Sequence, residues 1–376
     1  MYKRRLKIAV YILLFIFSAS FFFSCSKDDG QLVIINKVLL VYLAGDNSLS
    51  GESYEKLEAV RSGWNRDQHT KILIYHDPLD APPKLMEVIE NNRIRPIEEY
   101  PEENSAAPSV FHRIVTDAKA LYPQAVFNLL AFSHASGWLP HGRLSSPKSR
   151  QDSKSVLADG SSGMELTEFA SAIPDNAFDY IIFESCFMAG IEVSYQLRNK
   201  AHYVIASSAE IVSPGFTSVY PSHVNELLSG NPLLFAQAAF GYFDSQSGWM
   251  RSATISVVRT DQLDALAAYI KTNCDFTKPI TMTDIQYFDR NNYHLFADFE
   301  DYYSRLLEKD DQRQEIVALI DHCIVWKAAT PYFMAGYNGF TINRHSGMTT
   351  FIMQEQYPVL NTKYTELDWY KDSRTK

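Results

Sequence analysis

The chain has 376 residues, 46% of them hydrophobic and 21% charged, with a formal net charge of −9. That length and apolar content suffice for one large α/β domain or two modest ones, and they exclude an intrinsically disordered chain. The acidic balance argues against nucleic acid as a partner.

At the N-terminus, Lys3, Arg4, Arg5 and Lys7 precede an apolar run from Ile8 to Phe23 that ends on Ser24-Cys25. Basic, then apolar, then a small residue is the layout of an export signal, not of a folded element. Without those four cations the remainder carries 31 basic against 44 acidic residues, near −13. The junction FSCSKDDG resembles a bacterial lipoprotein processing site, with Cys25 as the lipidated first residue of the mature chain. Lys27-Asp28-Asp29 resembles the acidic export tag of Bacteroides-type surface lipoproteins. The competing reading is an uncleaved membrane anchor, for which the run is short. Both readings place the globular part outside the cytoplasm, and the lipoprotein reading places it at the outer membrane or cell surface.

A tether over residues 26–36 leads into apolar runs that alternate with amphipathic segments, the pattern of βαβ units. Strands are predicted at Val38–Ala44, Lys71–His76, Lys84–Ile89, Val126–Ser133, Tyr180–Glu184 and Tyr203–Ala206. Their unbroken Val, Ile, Leu and Phe content predicts burial on both faces, hence a mainly parallel sheet flanked by helices. Helices are predicted at Tyr54–Trp64, Ser109–Leu121, Leu166–Ala172 and Met188–Lys200. Between His141 and Gly163 the chain is polar, rich in Ser, Lys and Arg, and reads as an exposed loop. After about residue 250 the pattern restarts with a strand at Ala253–Val258 and helices at Asp261–Lys271 and Gln312–Trp326. Residues 37–250 are thus expected to form the main domain and 251–376 a C-terminal subdomain, standing apart or completing the same sheet.

Chemistry concentrates at two strand ends. VFNLLAFSHASGW runs from an apolar strand into His134, and YIIFESCFMAG runs from another into Cys186. A cysteine between a strand's carboxyl end and a helix's amino end feels the positive end of the helix dipole, which favours the nucleophilic thiolate. If the two strands are neighbours, His134 and Cys186 project from one edge, the arrangement that nucleophilic acyl transfer requires. Taken singly, each residue is better explained as a satisfied core histidine or a buried structural thiol; it is the pair that shifts the reading toward catalysis. His76-Asp77 also ends a strand and is a second candidate partner for the cysteine. If Cys25 carries lipid, Cys186, Cys274 and Cys323 remain; the last two are either paired or two buried free thiols. No H-E-x-x-H, phosphate-binding glycine loop or G-x-S-x-G is present, so zinc peptidase, nucleotide enzyme and α/β-hydrolase readings lack a motif.

These residues resemble the clostripain family of cysteine peptidases, in the clan that includes caspases, gingipains and legumain. LLAFSHASGW and YIIFESC fill the clan's two strand-end slots in order, and LAGDNSL is similar to the family's early Asp-Asn stretch. The resemblance implies a caspase-like α/β fold and an endopeptidase acting on peptides or proteins, with Cys186 as nucleophile and His134 as general acid/base. It implies an oxyanion hole from the N–H groups of Ala135 and Cys186. Alanine stands at 135 where the family has glycine, so a left-handed backbone there would be strained and the protein could be a non-catalytic binder that keeps the fold. A preference for Arg or Lys before the cleaved bond is implied through acidic residues, with Glu184 as one and Glu210 standing in for a second. Phe216 replaces a family acid and would form an apolar pocket wall; Glu184 could instead merely anchor its loop. Self-cleavage after Lys148, Arg150 or Lys154 is implied, and calcium is associated with clostripain itself, although nothing in the sequence requires a cofactor.

Overall fold

The computed structural model describes residues 34–65, 67–140, 143–144, 147, 156–290 and 292–374. Cys25, Lys148, Arg150 and Lys154 lie outside the described residues. From Ile35 onward the chain forms one compact unit.

Every residue of β1 (Lys37–Gly45) from Val38 to Ala44 is buried. A strand covered on both faces has no solvent side to make polar, which is why VLLVYLA shows no alternation. The strands that follow are β2 (Thr70–Pro78), β3 (Lys84–Ile89), β4 (Arg93–Glu99) and β5 (Val126–Phe132). A small hairpin of β6 (Leu157–Asp159) and β7 (Ser162–Met164) precedes β8 (Phe178–Glu184), β9 (Ala201–Ala206) and β10 (Thr254–Arg259). The two-residue β11 (Ala297–Asp298) and β12 (Ile324–Ala329) follow, and the short β13 (Tyr332–Phe333), β14 (Phe340–Thr341) and β15 (Thr349–Thr350) come last. Nine of them form one sheet in the order β12-β10-β9-β8-β5-β1-β2-β3-β4. The central five, β2, β1, β5, β8 and β9, are parallel. Both edges are antiparallel, β3 and β4 on one side and β10 and β12 on the other. The segment after residue 250 thus completes the main sheet.

Helices cover the sheet in two sets. One comprises α1 (Ser50–Gly63), with the later helices Tyr220–Ser229 and Pro232–Asp244. The other includes α2 (Pro108–Leu121), α3 (Leu166–Ala172), α4 (Ile191–Gln196), Leu263–Asn273, Asp310–Cys323 and Asp368–Arg374. In α2, Val110, Phe111, Ile114, Val115 and Ala118 are buried, an apolar stripe at helical spacing, and Pro108 opens the helix where no N–H is needed.

Four elements differ from expectation. The stretch read as an exposed loop between His141 and Gly163 runs into the β6–β7 hairpin, in which Leu157, Ala158 and Asp159 are buried. The helix predicted over Met188–Lys200 forms only at Ile191–Gln196; ahead of it Ala189 bonds Ser207 and Thr349 through its backbone and Gly190 is extended, bridged to Thr349. The helix predicted over Gln312–Trp326 stops at Cys323, and β-branched Ile324 and Val325 start a strand instead. Strand β4, RIRPIEE, is mostly exposed and carries Pro96, which only an edge strand accommodates.

Candidate active site

Strands β5 and β8 run side by side with Phe132 opposite Glu184. Two residues beyond each partner lie His134 and Cys186, so the register itself delivers both to the same carboxyl edge. The strand order reverses beside β1, and ligands in open α/β sheets bind at the carboxyl ends near such a point. There, His134, Cys186, Leu49, Glu52, Lys56, Phe132, Glu184, Glu210, Ile211, Val212, Trp249, Arg290 and Met334 are among the residues lining a cavity of about 360 Å³.

His134 is half-buried, and its Nε2 lies 2.7 Å from the Ser48 hydroxyl. Ser48 is held by its neighbour Asn47. The Asn47 amide donates to the carbonyls of Ala44 and Ala158, and its Oδ1 accepts the N–H of Leu49. The stretch GDNSL after β1 therefore acts as a bracket for the histidine.

Cys186 is also half-buried, and its Sγ accepts the N–H of Ile211 at 3.4 Å. The next residue, Phe187, is one of the few non-glycine residues with positive φ; its N–H bonds Ala209 and its ring stacks on Phe296 at 4.4 Å. The helix expected to polarise the thiol begins only at Ile191 and has six residues, whereas a helix dipole acts mainly within its first turn. The nearby positive charge is Arg290. Its guanidinium grips Glu210 through two hydrogen bonds of 2.7 and 2.8 Å. Its pKa is raised first by Glu210 and, more weakly, by the charge of Cys186. A cation within electrostatic reach of a thiol favours the thiolate.

Ala135 is buried and does not adopt a positive φ; the left-handed residue in its loop is Gly137, at φ 66°. The strain anticipated at Ala135 is therefore absent. Glu184 is buried and fully engaged. Lys56 donates to its Oε1 at 2.6 Å, the Phe216 N–H reaches the same oxygen at 2.5 Å, and the Tyr220 hydroxyl donates to Oε2. Phe216 does not form a wall of the cavity: its ring is buried edge-on against Phe235, 5.8 Å away. Glu210 does line the cavity, paired with Arg290. His76 sits on β2, separated from β8 by β1 and β5. It is buried against the Ser53 hydroxyl at 2.8 Å, and burial pushes its pKa down to about 4. Cys274 and Cys323 are buried free thiols, both pushed up to about 12 by burial.

Among the described residues no group of three His, Cys, Asp or Glu side chains is arranged to hold a metal ion. No step below uses a metal ion.

Of the site residues, His134, Cys186, Glu184 and Glu210 were legible as candidates, and all four line the cavity. Ser48, Glu52, Lys56 and Arg290 were not. Lys56 and Glu184 are 128 positions apart, and no local pattern announces such a pair.

A mostly parallel sheet that sets a histidine and a cysteine at the carboxyl ends of adjacent strands defines a caspase-like cysteine peptidase. The model of the clostripain family matches residues 41–374, and the chain belongs to that family. It is 30% identical to an inactive zymogen C11 protease from Parabacteroides distasonis, over 91% of this chain and 99% of that one, with a TM-score of 0.79. It is 26% identical to a secreted C11 cysteine protease from Bacteroides thetaiotaomicron solved with an irreversible peptide inhibitor, over 90% and 99% of the two chains, with a TM-score of 0.75. No curated protein sequence matches the chain.

Proposed function

We propose that this cysteine peptidase is an exported endopeptidase in which Cys186 attacks the peptide carbonyl and His134 moves the protons. The observation that carries the reading is the β5–β8 register, which brings both residues to one cavity. The Cys186 thiolate adds to the carbonyl carbon, and the oxyanion that forms is received by the N–H groups of Ala135 and Cys186. Such donors typically contribute ~3–4 kcal/mol to the transition state. His134 protonates the departing amine, leaving a thioester. Water, deprotonated by His134, then releases the acid and restores the thiol. The experiment is labelling with a peptidyl acyloxymethyl ketone, expected for the wild type and lost in Cys186→Ala. A folded, processed wild type that resists the probe would favour the second reading, a non-catalytic peptide-binding lipoprotein. The ordinary backbone of Ala135 removes the feature that motivated that second reading.

The cavity lining holds three glutamates, two of them already in ion pairs (Glu184 with Lys56, Glu210 with Arg290), and the excess acid, Glu52, supports a preference for Arg or Lys before the cleaved bond. The basic-apolar-cysteine order of residues 3–25 supports lipidation at Cys25 and a surface location, and one similar protein is itself described as secreted. Palmitate incorporation that disappears in Cys25→Ser tests the anchor. Activation by a cut after Lys148, Arg150 or Lys154 would leave two fragments joined through the sheet, since β5 and β8 flank that segment and pair directly. Intact masses of wild type and Cys186→Ala should then differ, and a single uncut chain in both would exclude this route.

A further inference from the structure

We propose that Glu52 is the carboxylate that receives the basic side chain of the substrate, in place of Glu184 and Glu210. The inference rests on the peptidase reading above and deepens it.

The floor of the cavity is already filled by the protein's own cation. Lys56 is fully buried, and its ammonium has three protons to donate. They go to Glu184 Oε1 at 2.6 Å, the Pro214 carbonyl at 2.9 Å and Thr217 Oγ1 at 2.9 Å. Both oxygens of Glu184 are in turn occupied by donors. A substrate cation descending to this floor would find no free acceptor and would meet Lys56, a like charge in a desolvated site. Lys56 thus stands in the pocket as a built-in substitute for a basic side chain.

Glu210, on the wall, is closed by the two-pronged grip of Arg290. Glu52 differs from both. It lies four residues before Lys56 on α1, which places the two on one helix face, with Glu52 about 6 Å nearer the helix start. It lines the same cavity, is half-buried, and its recorded partner is neutral: the Ser213 hydroxyl donates to Oε1 at 2.9 Å. No Lys or Arg among the described residues forms an ion pair with it. Charge therefore alternates along the pocket as Glu184, Lys56, Glu52, and a cation is the complement missing from the series. Leu49, Ile211 and Val212 supply apolar surface for the methylenes of a Lys or Arg stem.

The test compares fluorogenic peptides that differ only before the cleaved bond, with Lys, Arg or norleucine there, in wild type and Glu52→Gln. Glutamine keeps the size of the side chain and an acceptor for Ser213. For the Lys and Arg peptides kcat/KM is expected to fall on the order of 100-fold. For the norleucine peptide it should stay within about threefold, which also shows that the variant is folded and competent. An unchanged ratio of Lys to norleucine cleavage in Glu52→Gln would overturn the inference. A wild type that cleaves peptides but shows no basic preference would overturn it and leave the peptidase standing. A wild type that cleaves nothing and resists the ketone probe would remove both.

Discussion

A Cβ atom placed on Gly137 would lie 2.7 Å from the carbonyl oxygen of Phe187. Backbone thus meets backbone where the loop after His134 touches the loop after Cys186. Gly137 also has φ 66°, so Gly137→Ala adds a steric clash to a left-handed penalty of about 1–2 kcal/mol. We expect the variant to unfold at lower urea and to lose at least ~10-fold in kcat through misplacement of the reacting groups. Urea titration and steady-state kinetics measure the two effects separately.

Ser48 touches the ring that carries the proton. Ser48→Ala removes the 2.7 Å contact at His134 Nε2 and should lower kcat by about 10-fold, a fraction of what proton transfer contributes. KM should change little. Ser48→Thr keeps a hydroxyl and should recover most of the rate, with a pH–kcat profile close to wild type; equal losses in the Ala and Thr variants would exclude a positioning role.

Lys56 and Glu184 form an ion pair with each side chain 1% exposed. Lys56→Met leaves the carboxylate buried without its cation, and breaking such pairs costs about 3–5 kcal/mol. Replacing both, as Lys56→Met with Glu184→Leu, removes the orphaned charge and should recover more than half of the loss. Chemical denaturation of the single and double variants decides the matter.

Glu192 is buried beneath the C-terminal segment, where its Oε1 accepts from Thr350 and Phe351. Burial raises its pKa from 4.5 to about 7, outweighing those hydrogen bonds. The folded state therefore prefers the protonated acid. The group's contribution is complete below about pH 4.5 and declines as pH climbs through 7, by up to ~3 kcal/mol. Glu192→Gln should flatten that slope, raising stability at pH 8 relative to wild type with little change at pH 4.5. A variant less stable than wild type at pH 8 would contradict this.

The sheet's centre was readable because burial on both faces leaves its mark on each strand separately. His134 and Cys186 were readable because each directly follows such a run. The edge strand β4 was missed because one covered face and a proline leave only charges and a few aliphatics to see. The helix at Tyr220–Ser229 was missed because it hides its Tyr220, Val224, Leu227 and Leu228 behind a start that looks like a turn, Val-Tyr-Pro-Ser. The charge arrangement in the pocket escaped for a different reason: Lys56 on an early helix reads as an ordinary surface lysine until the fold sets it on Glu184. The same holds for Arg290, whose meaning depends on Glu210, 80 positions earlier.

The three described thiols fall into two populations. Cys274 and Cys323 hold their protons up to about pH 12, while Cys186 opens onto a solvent cavity beside a guanidinium. Alkylation requires thiolate, so at neutral pH a small electrophile should find one of the three and pass over the others. In a chain whose Cys25 is lipidated or replaced by serine, moles of iodoacetamide bound per mole of folded chain then become a head-count of reactive Cys186 centres. Rate constants measured on the purified protein can then be normalised to reactive thiol in place of total chain.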